Sequence, residues 1–254
     1  MRHVLKGGAG RRTAKMTIKI GCCGFPVARQ RYFEQFSVVE IQQTFYQLPI
    51  LSTALKWREE ATEGFEFTAK AWQLITHEPT SPTYRRLKNP ISVDNRNNYG
   101  SFKPTDEVFA AFEATEQFCR NLGAEKIIFQ CPPSFGMTSE HVNNMGNFFR
   151  QIKGEEFTFI WEPRGGWDDE EIRAICQELG LVHCVDPLRK APLSEGVRYF
   201  RLHGLRGYRY RYTDEDLLEL KTKWSEGETI YFMFNNTPMM EDGHRFEEML
   251  RSGC

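Results

Sequence analysis

Three carboxylates, Glu40, Glu162 and Asp186, and three cations, Lys70, Arg164 and Arg201, are the side chains here best suited to acid–base and anion chemistry. Each stands at or just beyond the end of a short apolar run. A carboxylate beside a cation ionises readily, whereas one in an apolar pocket keeps its proton for donation. The planar arginine fork fits phosphate or carboxylate. His77 and His203 can shuttle protons or bind a metal, and Gln42, Gln130 and Asn235 add neutral polar groups. A mixed divalent-metal site from Glu162, Asp186 and His203 is one reading, although no H-E-x-x-H or H-x-x-E-H spacing occurs. The bland alternative is that these charges neutralise one another inside the protein.

Aromatic residues accompany them. Phe25, Tyr46, Trp72 and Trp167 follow four of the apolar runs and can wall a pocket. The segment Arg206-Gly-Tyr-Arg-Tyr-Arg-Tyr212 interleaves cations with rings. Tyr208 and Tyr210 there suit stacking on bases, as in proteins that hold single-stranded nucleic acid. The alternative is a surface loop whose arginines pair with Asp214, Glu215 and Asp216.

The elements that position these groups follow from periodicity. Strand-like runs lie at Ile18–Cys22, Val38–Ile41, Phe65–Lys70, Lys126–Cys131, Phe157–Glu162, Leu181–Val185, Val197–His203 and Thr229–Phe234. Helical patterns lie near Leu51–Ala61, Thr105–Leu122, Ser139–Ile152, Asp168–Leu179, Thr213–Trp224 and Gly243–Leu250. Thr105 and Thr213 precede acidic first turns, as N-caps do, and Gly123 and Gly180 fall where helix C-caps belong. Eight strands alternating with helices predict an α/β fold, a closed (β/α)₈ TIM-type barrel, as a single domain over residues 16–254. The long stretch Ala71–Pro104 after strand three is read as a functional or mobile loop.

Strand phase decides where the chemistry goes. Val39 and Ile41, Phe65, Phe67 and Ala69, Phe157, Phe159 and Trp161, and Phe200 and Leu202 form a helix-facing set. The opposite phase carries Glu40, Lys70, Gln130, Glu162, Asp186, Arg201, His203 and Asn235 to the C-terminal ends. Barrel enzymes keep their chemistry on that rim.

Composition narrows the class. The chain has 254 residues, 40% of them hydrophobic, and no stretch apolar enough for the roughly 20 residues of a membrane span. Residues 1–15 carry Arg2, Lys6, Arg11, Arg12 and Lys15 with no acid. Of 33 basic and 34 acidic residues, these five leave 28 against 34, so the body stands at −6 and is no generic polyanion binder. The arm is read as a disordered extension, with nucleic-acid contact as the alternative; it lacks the apolar core of a secretory signal. Seven scattered cysteines without a C-x-x-C pair point to a reducing, cytoplasmic compartment and against structural zinc. Walker A, G-x-G-x-x-G and G-x-S-x-G motifs are absent from the strand ends.

Several segments together resemble one family. They are Gly21-Cys-Cys-Gly-Phe25, Val39-Glu-Ile-Gln-Gln-Thr-Phe-Tyr46, Phe65-Glu-Phe-Thr-Ala-Lys70, Ile75-Thr-His77, Phe129-Gln-Cys-Pro-Pro-Ser-Phe135, Trp161-Glu-Pro-Arg164 with Trp167, Tyr199-Phe-Arg-Leu-His-Gly204 and Phe234-Asn-Asn-Thr237. On these the chain is similar to the domain-of-unknown-function 72 family, from Ile18 to about Leu250. The resemblance implies a TIM-type barrel with a rim built from these positions, and supplies no substrate. Its barrel is similar in outline to endonuclease IV and sugar-isomerase barrels, which speaks to fold alone. The chain departs from the pattern where Gly24-Phe25 replaces Gly-Trp and Cys22-Cys23 replaces small hydroxyl residues.

The leading expectation is an acid–base hydrolase or lyase for a phosphate-bearing substrate, nucleic acid included. Lys70, His77, Gln130, Arg164, Arg201 and Asn235 would bind it, with Glu40, Glu162, Asp186 and His203 as the catalytic set. One alternative is a small-molecule sugar or nucleotide isomerase or hydrolase; another is a non-catalytic nucleic-acid-binding module. No membrane partner is expected.

Overall fold

A computed structural model describes residues 17–252 apart from 153, 155 and 225–228. The basic arm at residues 1–15 lies outside the described residues. In chain order the elements are β1 (Thr17–Cys23), α1 (Arg29–Phe33), β2 (Val38–Ile41), α2 (Gln43–Tyr46), α3 (Leu51–Glu60), β3 (Glu66–Lys70), α4 (Gln73–Thr76), α5 (Asp106–Leu122), β4 (Ala124–Gln130), α6 (Ser139–Gln151), β5 (Thr158–Glu162), α7 (Asp169–Leu179), β6 (Val182–Val185), β7 (Arg198–Leu202), α8 (Asp214–Lys223), β8 (Thr229–Phe234) and α9 (Met239–Arg251). The eight strands close in sequence order, every neighbouring pair parallel, with β8 returning to β1. The (β/α)₈ expectation holds. No helix among the described residues is long and apolar enough to cross a membrane.

Local chemistry explains the helix ends. The Thr105 hydroxyl accepts from the Val108 amide, and Thr213 with Asp216 forms a reciprocal capping box. Gly123 and Gly180 end α5 and α7 at φ of 70° and 66°, a left-handed conformation that disfavours a side chain. The five-residue α1 escapes periodicity because it is too short to repeat a face. The β6–β7 connection contains no helix among the described residues, which leaves that side of the rim to loops.

Alternation along the strands sorts the core into two clusters. Outward residues such as Val39, Phe67, Phe129, Trp161, Phe200 and Phe232 pack against helix residues including Phe112, Phe148 and Leu217. Inward residues Cys23, Val38, Ile128, Ile160, Cys184, Tyr199, Tyr231 and Met233 fill the barrel. At the N-terminal end, Lys19 lies 3.1 Å from Glu66, and Tyr231 donates to Glu66 at 2.6 Å. These groups form a polar floor at the N-terminal end of the barrel. Among the described residues six cysteines are free and buried, which makes them packing groups.

The stretch after β3 is tied at its base. Amides of Gly100, Ser101 and Phe102 donate to carbonyls of Leu74, Thr76 and Ile75 at 2.8, 3.3 and 2.9 Å. Phe102 is fully buried among Phe129, Phe135, Phe148 and Phe149. The segment is therefore an anchored wall of the rim.

Candidate functional site at the barrel rim

Register brings the inward polar residues of separate strands to one level. Cys23 stands beside Glu40, and Gln130 beside Glu162. At the centre lies Arg201, 1% exposed. Its guanidinium sits 3.0 Å from Glu40, pairs with Glu162, and donates to Gln130 at 2.9 Å and Gln42 at 3.4 Å. Its Nε has no partner. Two buried carboxylates around one buried cation satisfy the demand that interior charge be paired and hydrogen-bonded. Arg201 is thus the hub of the site, with its positive charge already answered.

Below the hub, Tyr199 donates to Glu40 at 2.9 Å and meets the Thr68 hydroxyl at 2.7 Å, all three fully buried. Tyr199→Phe strands a carboxylate oxygen and a hydroxyl in the interior. It is expected to lower unfolding free energy by roughly 1–3 kcal/mol; urea denaturation checks this, and an unchanged midpoint would show that the hydroxyl bears no weight.

Glu162 collects the rest. Arg164 donates to its Oε1 at 3.0 and 2.9 Å, and His203 Nε2 lies 3.1 Å from the same oxygen. Burial on its own raises the Glu162 pKa, but Arg201, the His203 hydrogen bond and Arg164 outweigh it and hold the group well below the usual range. Nε2 also lies 3.1 Å from the Arg164 guanidinium, and Nδ1 lies 2.9 Å from the Asn235 amide nitrogen; in the tautomer with its hydrogen on Nε2, the ring donates to Glu162 and Nδ1 accepts from Asn235. Asp186 accepts from the amides of Leu188 at 3.2 Å and His203 at 3.4 Å, with Arg189 3.7 Å away. Burial is the largest influence on it and lifts its pKa above the ordinary value despite these partners.

Glu162, Arg164, Asp186 and His203 open together on a cavity of about 270 Å³, which Trp167, His183, Arg189 and Lys190 also line. At the end of β3, Lys70 is 4% exposed and holds its ammonium 3.5 Å from the Phe45 ring centroid. Burial and the charges of Arg201 and Arg164 pull its pKa down to about 7, although Glu162 and Glu40 oppose them. His77 is buried beside Phe45, its Nδ1 2.8 Å from the Thr76 hydroxyl. Burial, then Lys70 and Arg164, push it down to about 3, so it is neutral.

The structure therefore gathers Glu40, Lys70, Gln130, Glu162, Arg164, Asp186, Arg201, His203 and Asn235 at the rim, with His77 at its edge. The aromatic expectations divide. Trp167 lines the cavity and donates to the Phe135 carbonyl at 2.7 Å, and Tyr208, 56% exposed, stands edge-on to His203 at 6.0 Å. Phe25 instead packs into the helix layer against Tyr32, Phe33 and Trp57. Tyr210 is tied to Asp216 at 2.6 Å and packs on Tyr212, which removes it from the stacking set. Tyr46 carries the Arg86 guanidinium at 3.9 Å, and Trp72 is half-buried with an unpartnered indole nitrogen. The expected acidic partners of the Arg-Tyr loop are also different: Arg211 lies 3.1 Å from Glu241.

Among the described residues no group of three or more His, Cys, Asp or Glu is placed to hold a metal ion. Both ring nitrogens of His203 are engaged, Glu162 is taken by two guanidiniums, and Asp186 faces amides and Arg189. Sequence reasoning missed Tyr199, Arg189 and Lys190. Tyr199 shares the inward phase of Arg201 and was within reach of that signal; the two cations lie in a loop with no periodicity.

The fold and this rim define a (β/α)₈ barrel with a buried charge network at the C-terminal ends of its strands. A family profile described as "Protein of unknown function DUF72" matches residues 28–252, and the chain belongs to that family. It is 23% identical over 259 residues to the UPF0759 protein YunF of Bacillus subtilis, covering 87% of this chain and 84% of that one. A DUF72 family protein from Enterococcus faecalis superposes with a TM-score of 0.70 at 18% identity, covering 92% of this chain and 98% of the other. Endonuclease IV from Thermus thermophilus shares the fold at a TM-score of 0.55 and 11% identity, covering 92% of this chain and 100% of the other.

Proposed function

We propose that the rim is the active site of an acid–base enzyme, a hydrolase or lyase, acting on a small phosphate-bearing substrate. The observation that carries this reading is the cavity between the ends of β5, β6 and β7, where Arg164, Arg189 and Lys190 surround Asp186 and His203. Three cations there suit a phosphate, and a space of about 270 Å³ suits a small molecule. Asp186, its pKa raised by burial, is the proton donor. His203 accepts a proton through Nδ1 once the substrate displaces the Asn235 amide from it. Glu162 is too acidic for a base; it holds the ring's Nε2–H and so fixes its tautomer and orientation. Arg201 and Glu40 position Glu162.

A second reading, an oligonucleotide end as substrate, is favoured by exposed Tyr208 beside His203, since a ring at that edge can stack on a base.

Calorimetric titration at low salt with inorganic phosphate, phosphate monoesters and single-stranded DNA of graded length tests both. The expected result is monoester binding that Arg164→Gln weakens roughly tenfold or more, the value of a charge-assisted hydrogen bond. Equal affinity in that variant removes the phosphate assignment. Affinity that climbs with DNA length favours the oligonucleotide reading.

A further inference from the structure

Lys70 is a buried rim cation without an ion pair among the described residues. Arg201 holds Glu40 and Glu162, Arg164 shares Glu162, Arg189 lies beside Asp186 and Lys190 beside Asp169. The Lys70 ammonium makes no ion pair or hydrogen bond among the described residues; its one close partner is the face of Phe45. It sits at the C-terminal end of β3, inward-facing and almost wholly buried. The groups facing it come from several elements: Arg201 from β7, Glu162 and Arg164 from β5 and the turn after it, Glu40 from β2, and His77 after α4.

A desolvated amine flanked by two guanidiniums sheds its proton, and the free amine is a strong nucleophile. Arginine cannot take this role, because its guanidinium stays protonated. The strand end thus carries the residue type whose basicity its surroundings can tune. A pKa pulled down to about 7 leaves part of the amine free at neutrality.

We propose that Lys70 is a nucleophilic lysine that condenses with the carbonyl carbon of a small anionic aldehyde or ketone to form an imine. The nitrogen lone pair attacks the carbonyl carbon, the C–N bond forms, and a proton passes to oxygen to give the carbinolamine. Loss of water, carrying the two amine hydrogens and the carbonyl oxygen, leaves the C=N bond; hydrolysis reverses each step. The anionic half of the assignment rests on the phosphate reading above and narrows hydrolase or lyase to lyase. Arg164, which bounds the cavity and lies near Lys70, would hold the anionic group.

Reductive alkylation with two probes tests it on the full chain. Formaldehyde is small and neutral, and glyoxylate is a small anionic aldehyde. Each is added at limiting concentration with cyanoborohydride over a pH series, and labelled lysines are mapped by mass spectrometry. Lys70 is expected to react with formaldehyde at pH 7 at least roughly tenfold faster than exposed lysines, with its rate half-maximal near pH 7. Lys70→Met removes that label and no other. Glyoxylate is expected to label Lys70 preferentially, and Arg164→Gln to abolish that preference while formaldehyde labelling persists. Lys70 left unlabelled by formaldehyde, or reacting only at the pH of exposed lysines, overturns the nucleophile. Formaldehyde labelling without glyoxylate preference keeps the nucleophile and removes the anionic substrate class.

Discussion

Replacing Arg201 with methionine should cost roughly 3–5 kcal/mol of folding stability at neutral pH. The substitution keeps much of the volume but leaves Glu40 and Glu162, 0% and 6% exposed, facing each other without their shared cation. Gln130 also loses its donor, and Arg164 cannot serve Glu40 as well. Proton uptake offers relief. With Arg201 present, Glu162 sits well below the usual carboxylate range, so this pairing stabilises the fold above the unfolded pKa of about 4.3 and is lost as pH falls through the folded value. Without Arg201 the burial that raises the Glu162 pKa is less opposed, and the penalty shrinks as the pH is lowered toward about 5. Urea unfolding of both proteins at neutral and mildly acidic pH reads this difference. A penalty under about 1 kcal/mol at pH 7 would mean that water, and not Arg201, solvates the two carboxylates.

The opposite sign is expected at Lys70. Lys70→Met should stabilise the protein by roughly 2–4 kcal/mol at and below pH 7, since it removes a buried cation that folding must desolvate. The Lys70 pKa falls from 10.5 to about 7 on folding. Between those values the unfolded chain binds the proton that the folded protein sheds, so wild-type stability rises with pH. The advantage of Lys70→Met is therefore full below the folded value and fades as pH climbs toward 10.5. Denaturation at about pH 6.5 and pH 9.5 measures it; a variant less stable than wild type at both would show that the Phe45 contact outweighs desolvation. A residue that lowers stability where it stands fits a functional position, because active sites retain groups that the fold alone would discard.

The two residues also show what sequence can reveal. Period-two alternation sent Glu40, Lys70, Gln130, Glu162 and Arg201 to the same face and the same end, because side-chain direction on a strand follows from parity alone. Caps at Thr105, Thr213, Gly123 and Gly180 were legible for the same local reason. Pairing was not. Arg201 and Glu40 lie on β7 and β2 and meet only once the barrel closes, so nothing in the chain distinguishes Arg201, doubly neutralised, from Lys70, left without a carboxylate. Aromatic direction failed similarly. Phe25 and Tyr210 stand in loops, where no periodicity sets orientation, and each turned toward packing or a nearby acid. Arg189 and Lys190 reached the cavity through the helix-free β6–β7 connection.

Acid–base chemistry at this rim on a small phosphate-bearing molecule is directly measurable. The most direct measurement incubates wild-type protein and Glu162→Gln, each at the same concentration, with a pool of low-molecular-weight phosphorylated metabolites, and follows every species by mass spectrometry over time. Loss of the Glu162 charge releases His203 from its oriented tautomer while keeping the shape of the side chain. Wild type is expected to consume at least one phosphate-bearing species and form its product, and Glu162→Gln to do so at least about a hundredfold more slowly, the scale of general acid–base catalysis. A species consumed at the same rate by both proteins, or no species changed by wild type, would contradict it.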